Sequence, residues 1–261
     1  MRAVVTGATG FLGRHLVRLL GEVYPHRVDV TDAISVQRAM DWGPSVVFHL
    51  AAMTNPRECE ADPDRCHAVN VEGTRRVAAL ARCRLVVVSS VHAYGSPTSL
   101  PLTEDHPLRP VGVYATSKRD AEAAAPDAVI ARPFNLTGPG QGPAFAPADW
   151  ARQARGTGPI QCGNLELERD YLDVRDAARG LVVLAERGKE GQAYNLCSGR
   201  AVSMRVIAEA LAPGRPLLSS AAKSPSAVPR LVGSNEKAAR LGWGPLFSLE
   251  KSLEDLAASL A

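Results

Sequence analysis

Apolar residues in this chain fall into short unbroken runs, separated by longer stretches in which they recur every three or four positions. Arg2–Thr6 (RAVVT), residues 45–50 (SVVFHL), 84–89 (RLVVVS) and 128–131 are aliphatic and β-branched without polar alternation. That pattern predicts strands covered on both faces. Residues 28–30 add a very short strand of the same kind. Residues 11–20 place Phe11, Leu12, His15, Leu16 and Leu19 at helical spacing, and 34–40 and 114–125 read as further helices. Residues 62–81 read as one long helix with Val69, Val77 and Leu80 on one face. Strands alternating with helices predict a parallel sheet with crossover helices, the doubly wound α/β (Rossmann) architecture. Beyond about residue 133 the character changes. Gly and Pro crowd residues 138–147 (GPGQGPAFAP), and shorter elements follow: a helix at Val174–Arg187, a strand at Ala193–Leu196, and helices at Met204–Leu211 and 249–260. The expected division is a Rossmann domain over 1–132, with sheet elements returning from the second half, and mainly a small substrate-binding lobe over 133–261.

Composition narrows the class. An apolar fraction of 46% and a charged fraction of 22% are those of an ordinary globular chain. With only 5% aromatics, aliphatic side chains must fill the core. The net charge is +3 and the basic residues are scattered, so no nucleic-acid partner is expected. Cys59, Cys66, Cys83, Cys162 and Cys197 are irregularly spaced and form no C-x-x-C pair. Free thiols are therefore expected, and no metal site. The start, MRAVVTGATG, reads as a strand and a glycine turn rather than a signal peptide. No apolar run reaches the ~18–20 residues of a membrane span. A soluble, cytoplasmic protein is expected.

Two motifs carry chemistry. Gly7-Ala-Thr-Gly10-Phe-Leu-Gly13 falls between the first strand and first helix. Glycines there let backbone and helix N–H groups approach a pyrophosphate closely, although a bare tight turn would use them too. Tyr114-Ala-Thr-Ser-Lys118 places a phenol and an ammonium on one helical face. The lysine charge is expected to lower the phenol's pKa, so that the phenol exchanges a proton near neutral pH. An exposed aromatic–cation pair would be the bland explanation. Ser89-Ser90 at the end of a buried strand supplies the hydroxyl that turns these features into a constellation.

These motifs, with VDVTD at 28–32, HLAA at 49–52, VNVEGT at 69–74, SSVHAYG at 89–95, RPFNLTGPGQ at 132–141 and RDYLDVRDAARG at 169–180, resemble the extended short-chain dehydrogenase/reductase family of nucleotide-sugar epimerases, dehydratases and reductases. The resemblance runs along essentially the whole chain, and the later half is similar to GDP-4-keto-6-deoxymannose reductases. It implies that Ser90 orients a sugar carbonyl, Tyr114 is the general acid, and Lys118 holds the nicotinamide ribose. It implies cofactor contacts from Gly7, Gly10, Phe11, Leu12, Gly13 and Arg14, from Asp29 and Val30 beside the adenine, and from Leu50, Ala51, Ala52, Asn70 and Pro133. Asn135 and Arg169 would reach the substrate diphosphate, with Arg230 as a further candidate contact; His92 reads either as a contact to sugar hydroxyls or as a polar rim residue. A homodimer is expected by the same analogy.

The chain also departs from the family. Val91 and His92 stand where dehydratases carry an acidic pair, so dehydration is not expected. The connection from Leu20 to Asp29 is shortened, and no acidic residue takes a clear ribose-binding place. The basic Arg14, His26 and Arg27 nearby favour NADP(H), with NAD(H) as the alternative. The stretch from Lys118 to Arg132 is short as well, ending the catalytic helix by Pro126. Ser224, with Lys223 and Arg230 nearby, replaces an expected basic residue. The resemblance implies an NAD(P)H-dependent oxidoreductase that reduces a nucleotide-linked 4-keto-6-deoxyhexose. A 4-epimerase with tightly bound NAD would use the same residues. A non-catalytic dinucleotide-binding relative is the third possibility, although such relatives commonly lose the Tyr or Lys retained here.

Overall fold

The computed structural model describes residues 1–219 and 228–260. The first half runs β1 (Arg2–Thr6), α1 (Phe11–Val17), β2 (Glu22–Val23), α2 (Ala33–Asp41), β3 (Val46–His49), α3 (Pro56–Ala61) and α4 (Pro63–His67). A π-helical turn (Ala68–Glu72) leads into α5 (Gly73–Leu80), β4 (Arg84–Val88), a 3-10 turn (Val91–Tyr94), α6 (Val113–Ala123) and β5 (Val129–Pro133). The second half runs β6 (Asn135–Thr137), α7 (Ala146–Ala154), β7 (Ile160–Cys162), β8 (Glu168–Asp173), α8 (Val174–Arg187), β9 (Ala193–Leu196) and β10 (Ala201–Ser203). It closes with α9 (Met204–Leu211), β11 (Leu217–Ser219), β12 (Arg230–Leu231), α10 (Glu236–Ala239) and α11 (Leu249–Ser259).

The apolar runs form one parallel sheet in the order β2-β1-β3-β4-β5-β9, with β9 returning from the second half. On one face, α1 and α8 cover Val5, Phe48, Val86 and Ala131; on the other, α2 and α5 cover Val4, Val47 and Val87. The chain leaves β1 toward β2 on one side and then toward β3 on the other. That reversal opens a crevice at the carboxyl ends of β1 and β3, the place where doubly wound sheets take ligands. A Cβ on Gly7 would lie 2.8 Å from Ala51 N, and one on Gly13 would lie 2.2 Å from Gly7 O. Helix α1 and β3 both approach the turn at backbone distance.

A second assembly packs α7, α9 and α11 around Trp150, Ile160, Leu165, Ile207 and Leu256. Its sheet, β10-β8-β12 with β6 pairing β8, carries the 169–180 motif. The motif's carboxylates are anchors. Asp170 accepts from Ser198, Gly199 and Gly233 backbone N–H groups, and Asp176 from those of Leu246 and Phe247. Asp173 pairs with Arg175 and accepts from Ser252 Oγ.

Two expectations need correction. Residues 28–30 form no strand; the edge strand is β2, at Glu22–Val23. Val28 and Val30 are buried, but Asp29 Oδ1 accepts from Thr31 N and Asp32 Oδ1 from Ile34 N. Within the run itself, Asp29 N donates to Ser35 Oγ and Val30 O accepts from Arg76, so side chains take groups that a ladder would need. Residues 62–81 are also not one helix, because the π-helical turn interrupts them. Helix α3 and the short strands β6, β7, β8, β10, β11 and β12 had no separate sequence signal.

The close approach at the turn predicts that Gly13→Ala, overpacked against backbone that cannot swing aside, costs about 3 kcal/mol and lowers Tm by about 8 °C. Urea and thermal unfolding measure both.

Candidate active site

The glycine turn is the floor of the crevice. Gly10 precedes α1 without any side-chain cap, whereas α2, α8, α9 and α11 are each capped by an Asp or Ser side chain. The first-turn N–H groups at Phe11, Leu12 and Gly13 are thus left for an anion, and no Cβ fits at Gly7 or Gly13. This cradle suits a dinucleotide pyrophosphate. Arg14 donates to Gly140 O (3.0 Å), and the next residue, His15, bonds Pro139 O (2.9 Å). Arg14 is thereby tied to the 138–141 turn, while His26 packs edge-on against Tyr24. Asp29 is exposed at the crevice edge, and Val30 is buried, packed against Gly73.

The opposite wall follows β3. Leu50 and Ala51 donate their N–H groups to Thr6 Oγ1 (3.2 and 3.1 Å), and Ala52 continues the wall. Asn70, on the π-helical turn, is 2% exposed. Its amide accepts from Met53 N (2.8 Å) and donates to Met53 O (3.0 Å) and Ser117 Oγ (2.9 Å), so it stands behind the wall. Pro133 ends β5, in register with Leu196.

Ser90, Tyr114, Lys118 and His92 come together at the carboxyl end of β4. Ser90 Oγ caps the 3-10 turn by accepting from His92 N (3.3 Å), and the His92 ring meets Tyr114 edge-on at 5.9 Å between centroids. Lys118 Nζ donates to Val88 O (2.9 Å). The electrostatics differ from the sequence expectation. Loss of hydration pushes the Tyr114 phenol up to about 12, with the neighbouring Ser90 hydroxyl opposing. Burial pulls Lys118 down to about 8, and Glu122 acts against it. Desolvation is the largest influence on both groups, so in the free protein Tyr114 favours its protonated form.

Behind Lys118 lies a network that the motifs did not flag. Glu122, one helical turn on, takes Arg132 in a forked pair (2.9 and 2.7 Å) and accepts from Ser89 Oγ. Arg132 also donates to the Tyr94 hydroxyl (2.9 Å), which donates to Asn195 Oδ1 (2.7 Å). The sequence signal was the spacing Tyr114, Lys118, Glu122, which continues one face of α6.

The substrate side is more open. His92 is exposed, and its pKa lies below the ordinary value because the cleft walls displace water and the nearby Arg169 cation adds to the effect. Arg169 donates to Glu168 O (2.8 Å) and Pro229 O (3.3 Å). Arg230, on the neighbouring strand β12, is mostly exposed and pairs with Glu168 (3.2 Å). Asn135 donates to Asp170 O (3.2 Å), fixing β6 against β8. Lys223 and Ser224 lie outside the described residues. Among the described residues no helix is long and apolar enough to cross a membrane, and no group of three His, Cys, Asp or Glu converges as a metal site would require.

Residues 3–197 match the model of the NAD dependent epimerase/dehydratase family. The chain is 31% identical to GDP-6-deoxy-D-mannose reductase from Pseudomonas aeruginosa, over 97% of this chain and 94% of the relative. The structure of RMD from Pseudomonas aeruginosa complexed with NADPH superposes with a TM-score of 0.93 at 28% identity, covering 99% of this chain and 98% of that one. The Thermus thermophilus UDP-glucose 4-epimerase complex with NAD gives a TM-score of 0.89 at 26% identity, over 99% and 98%.

One buried group sets a pH dependence of stability. Burial, with the Lys118 cation adding to it, lowers His49 from 6.5 to about 3. Between those values the unfolded chain binds a proton that the folded one does not, so stability falls as pH drops through 6.5 toward 3. The slope from this residue is about 1.4 kcal/mol per pH unit. Urea unfolding between about pH 7.5 and about pH 5 should show it, with a shallower dependence in His49→Gln.

Proposed function

The chain belongs to the NAD dependent epimerase/dehydratase family, and from that premise we propose that it is an NAD(P)H-dependent reductase of a nucleotide-linked 4-keto-6-deoxyhexose. The observation that carries this reading is Tyr114 set beside Ser90, with Lys118 one helical turn on, at the mouth of a crevice built for a dinucleotide. Ketone reduction needs an acid loaded with its proton before chemistry starts. The likeness to a GDP-6-deoxy-D-mannose reductase over nearly the full length of both chains supports the same direction.

When bound, the reduced nicotinamide supplies hydride to the carbonyl carbon. Tyr114 donates its phenolic proton to the carbonyl oxygen as negative charge develops there, and the Ser90 hydroxyl donates to the same oxygen. Lys118, its ammonium fixed on Val88 O, holds the nicotinamide ribose and supports Tyr114 with positive charge. Arg169, with Arg230 on the next strand, offers guanidinium donors to the substrate diphosphate, and His92 contacts sugar hydroxyls.

NADPH is the favoured cofactor within this reading. Arg27 lies at the adenosine edge, and the Asp29 carboxylate already accepts from Thr31 N (2.9 Å) and Thr31 Oγ1 (2.7 Å). A homodimer belongs to the same reading, and light scattering tests it.

The first test is NADPH and NADH oxidation with GDP- and dTDP-linked 4-keto-6-deoxyhexoses. Turnover with NADPH and a GDP-linked substrate is expected; tighter binding of NADH would reverse the cofactor assignment. Co-purified NAD, with interconversion at C4 and no net redox, would replace the reductase by an epimerase. Tyr114→Phe should lower kcat/KM about 10²-fold or more. In wild type, kcat/KM for reduction should fall above about pH 8, as Lys118 loses the proton that makes it a cation. A pH–rate profile without that limb, or full activity in Tyr114→Phe, contradicts the mechanism.

A further inference from the structure

Five polar side chains, none more than 5% exposed, form a continuous file through the middle of the fold: Thr6, His49, Thr74, Asn70 and Ser117. Thr6 Oγ1 meets His49 Nδ1 at 2.8 Å, and His49 Nε2 meets Thr74 Oγ1 at 2.9 Å. Thr74 Oγ1 donates to Asn70 O (2.6 Å), Asn70 Nδ2 donates to Ser117 Oγ (2.9 Å), and Ser117 Oγ donates to Tyr114 O (2.8 Å).

Counting hydrogens fixes the direction of each bond. The single hydroxyl proton of Thr74 goes to Asn70 O, so Thr74 accepts from His49 Nε2–H. Nδ1 is therefore bare and accepts the Thr6 hydroxyl, whose lone pairs take the Leu50 and Ala51 N–H groups. His49 is neutral in one tautomer, and its value near 3 keeps it so at working pH.

Apolar residues would fill this space at lower desolvation cost, so the file is not explained by packing. Its two ends lie where the proposed chemistry needs alignment. One holds the Leu50–Ala51 wall of the dinucleotide crevice; the other holds the backbone of the residue that delivers the proton. The π-helical turn at Ala68–Glu72 lets Asn70 serve both sides, clamping Met53 and Ser117 with one amide.

We propose that this file is a positioning device that couples the dinucleotide crevice to the catalytic helix, with Thr74 and Ser117 as positioning residues for Tyr114. The proposal rests on the reading of Tyr114 as the acid. Neither Thr74 nor Ser117 is assigned a ligand contact; each acts by fixing where the next residue sits.

The test is a double-mutant cycle on Thr74→Val and Ser117→Ala, with Thr74→Ser as the conservative variant. In folded protein each of the two single variants should lower kcat about 10-fold while the keto-sugar KM stays within about twofold. Thr74→Ser should stay within about twofold of wild type. Cutting one file twice costs little more than cutting it once, so the double variant should lose no more than the worse single variant. A role in stability alone lowers Tm and leaves kcat of the folded fraction unchanged, and that outcome overturns the proposal. So do single losses that multiply in the double variant, or a Thr74→Ser no better than Thr74→Val. Thr74→Ala takes the place of Thr74→Val if the latter lacks a cooperative melt. If wild type reduces no keto-sugar, the proposed function has failed, and the cycle is read on nicotinamide fluorescence instead. Dissociation constants for NADPH or NADH raised about threefold in each single variant, and no further in the double, support the coupling. Unchanged or multiplying constants refute it.

Discussion

Much of this structure depends on one contact between main chains. Gly7 lies so close to the start of the Leu50–Ala51 segment that a single methyl group would have no room. The contact brings the ends of β1 and β3 together just where the chain reverses its direction across the sheet. From there α1 begins with an uncapped first turn, and the hydroxyl of Thr6, the residue before Gly7, takes the Ala51 N–H and shares the Leu50 N–H with the Thr6 carbonyl. Crevice floor, crevice wall and the buried histidine behind them all follow from that approach.

Desolvation governs the reacting groups. In water a lysine beside a tyrosine would be expected to favour the phenolate. Here both groups are taken out of water, and each moves toward its neutral form. The Tyr114 phenol therefore favours its protonated form, and Lys118 keeps much of its charge at neutral pH because Glu122 opposes the effect of burial. The Glu122–Arg132 pair is itself buried and shared with Ser89 and Tyr94. Breaking such a pair from one side leaves an uncompensated charge, so the network resists change at any single member.

The inner strands of the sheet were legible because they are unbroken aliphatic runs, and the crevice because the glycines fall between a strand and a helix. The Tyr114–Lys118 pair stood out by helical spacing. Three things were not legible. Val28 and Val30 imitate a strand, and only the bonds from Asp29 N to Ser35 Oγ and from Arg76 to Val30 O show how side chains take the place of a ladder. Strands of two or three residues in the second half have too little length for a period. The polar residues behind the site are separated by tens of positions, with Thr6 paired to His49 and Asn70 to Ser117. Such partnerships are made by topology and leave no local pattern.

The thin edge beside β1 has a kinetic consequence. A dinucleotide sheet of the six-strand type places two strands beyond β1, whereas here β2 is alone and only two residues long. Little rigid surface remains there for the adenosine half of a dinucleotide, so under the proposed function the hold would fall on the pyrophosphate turn and on the nicotinamide end. On that reading the residence time of the cofactor would be short. That would hamper an enzyme that must retain one cofactor through every cycle, but it suits one that discards its spent cofactor and takes a fresh one at each turnover.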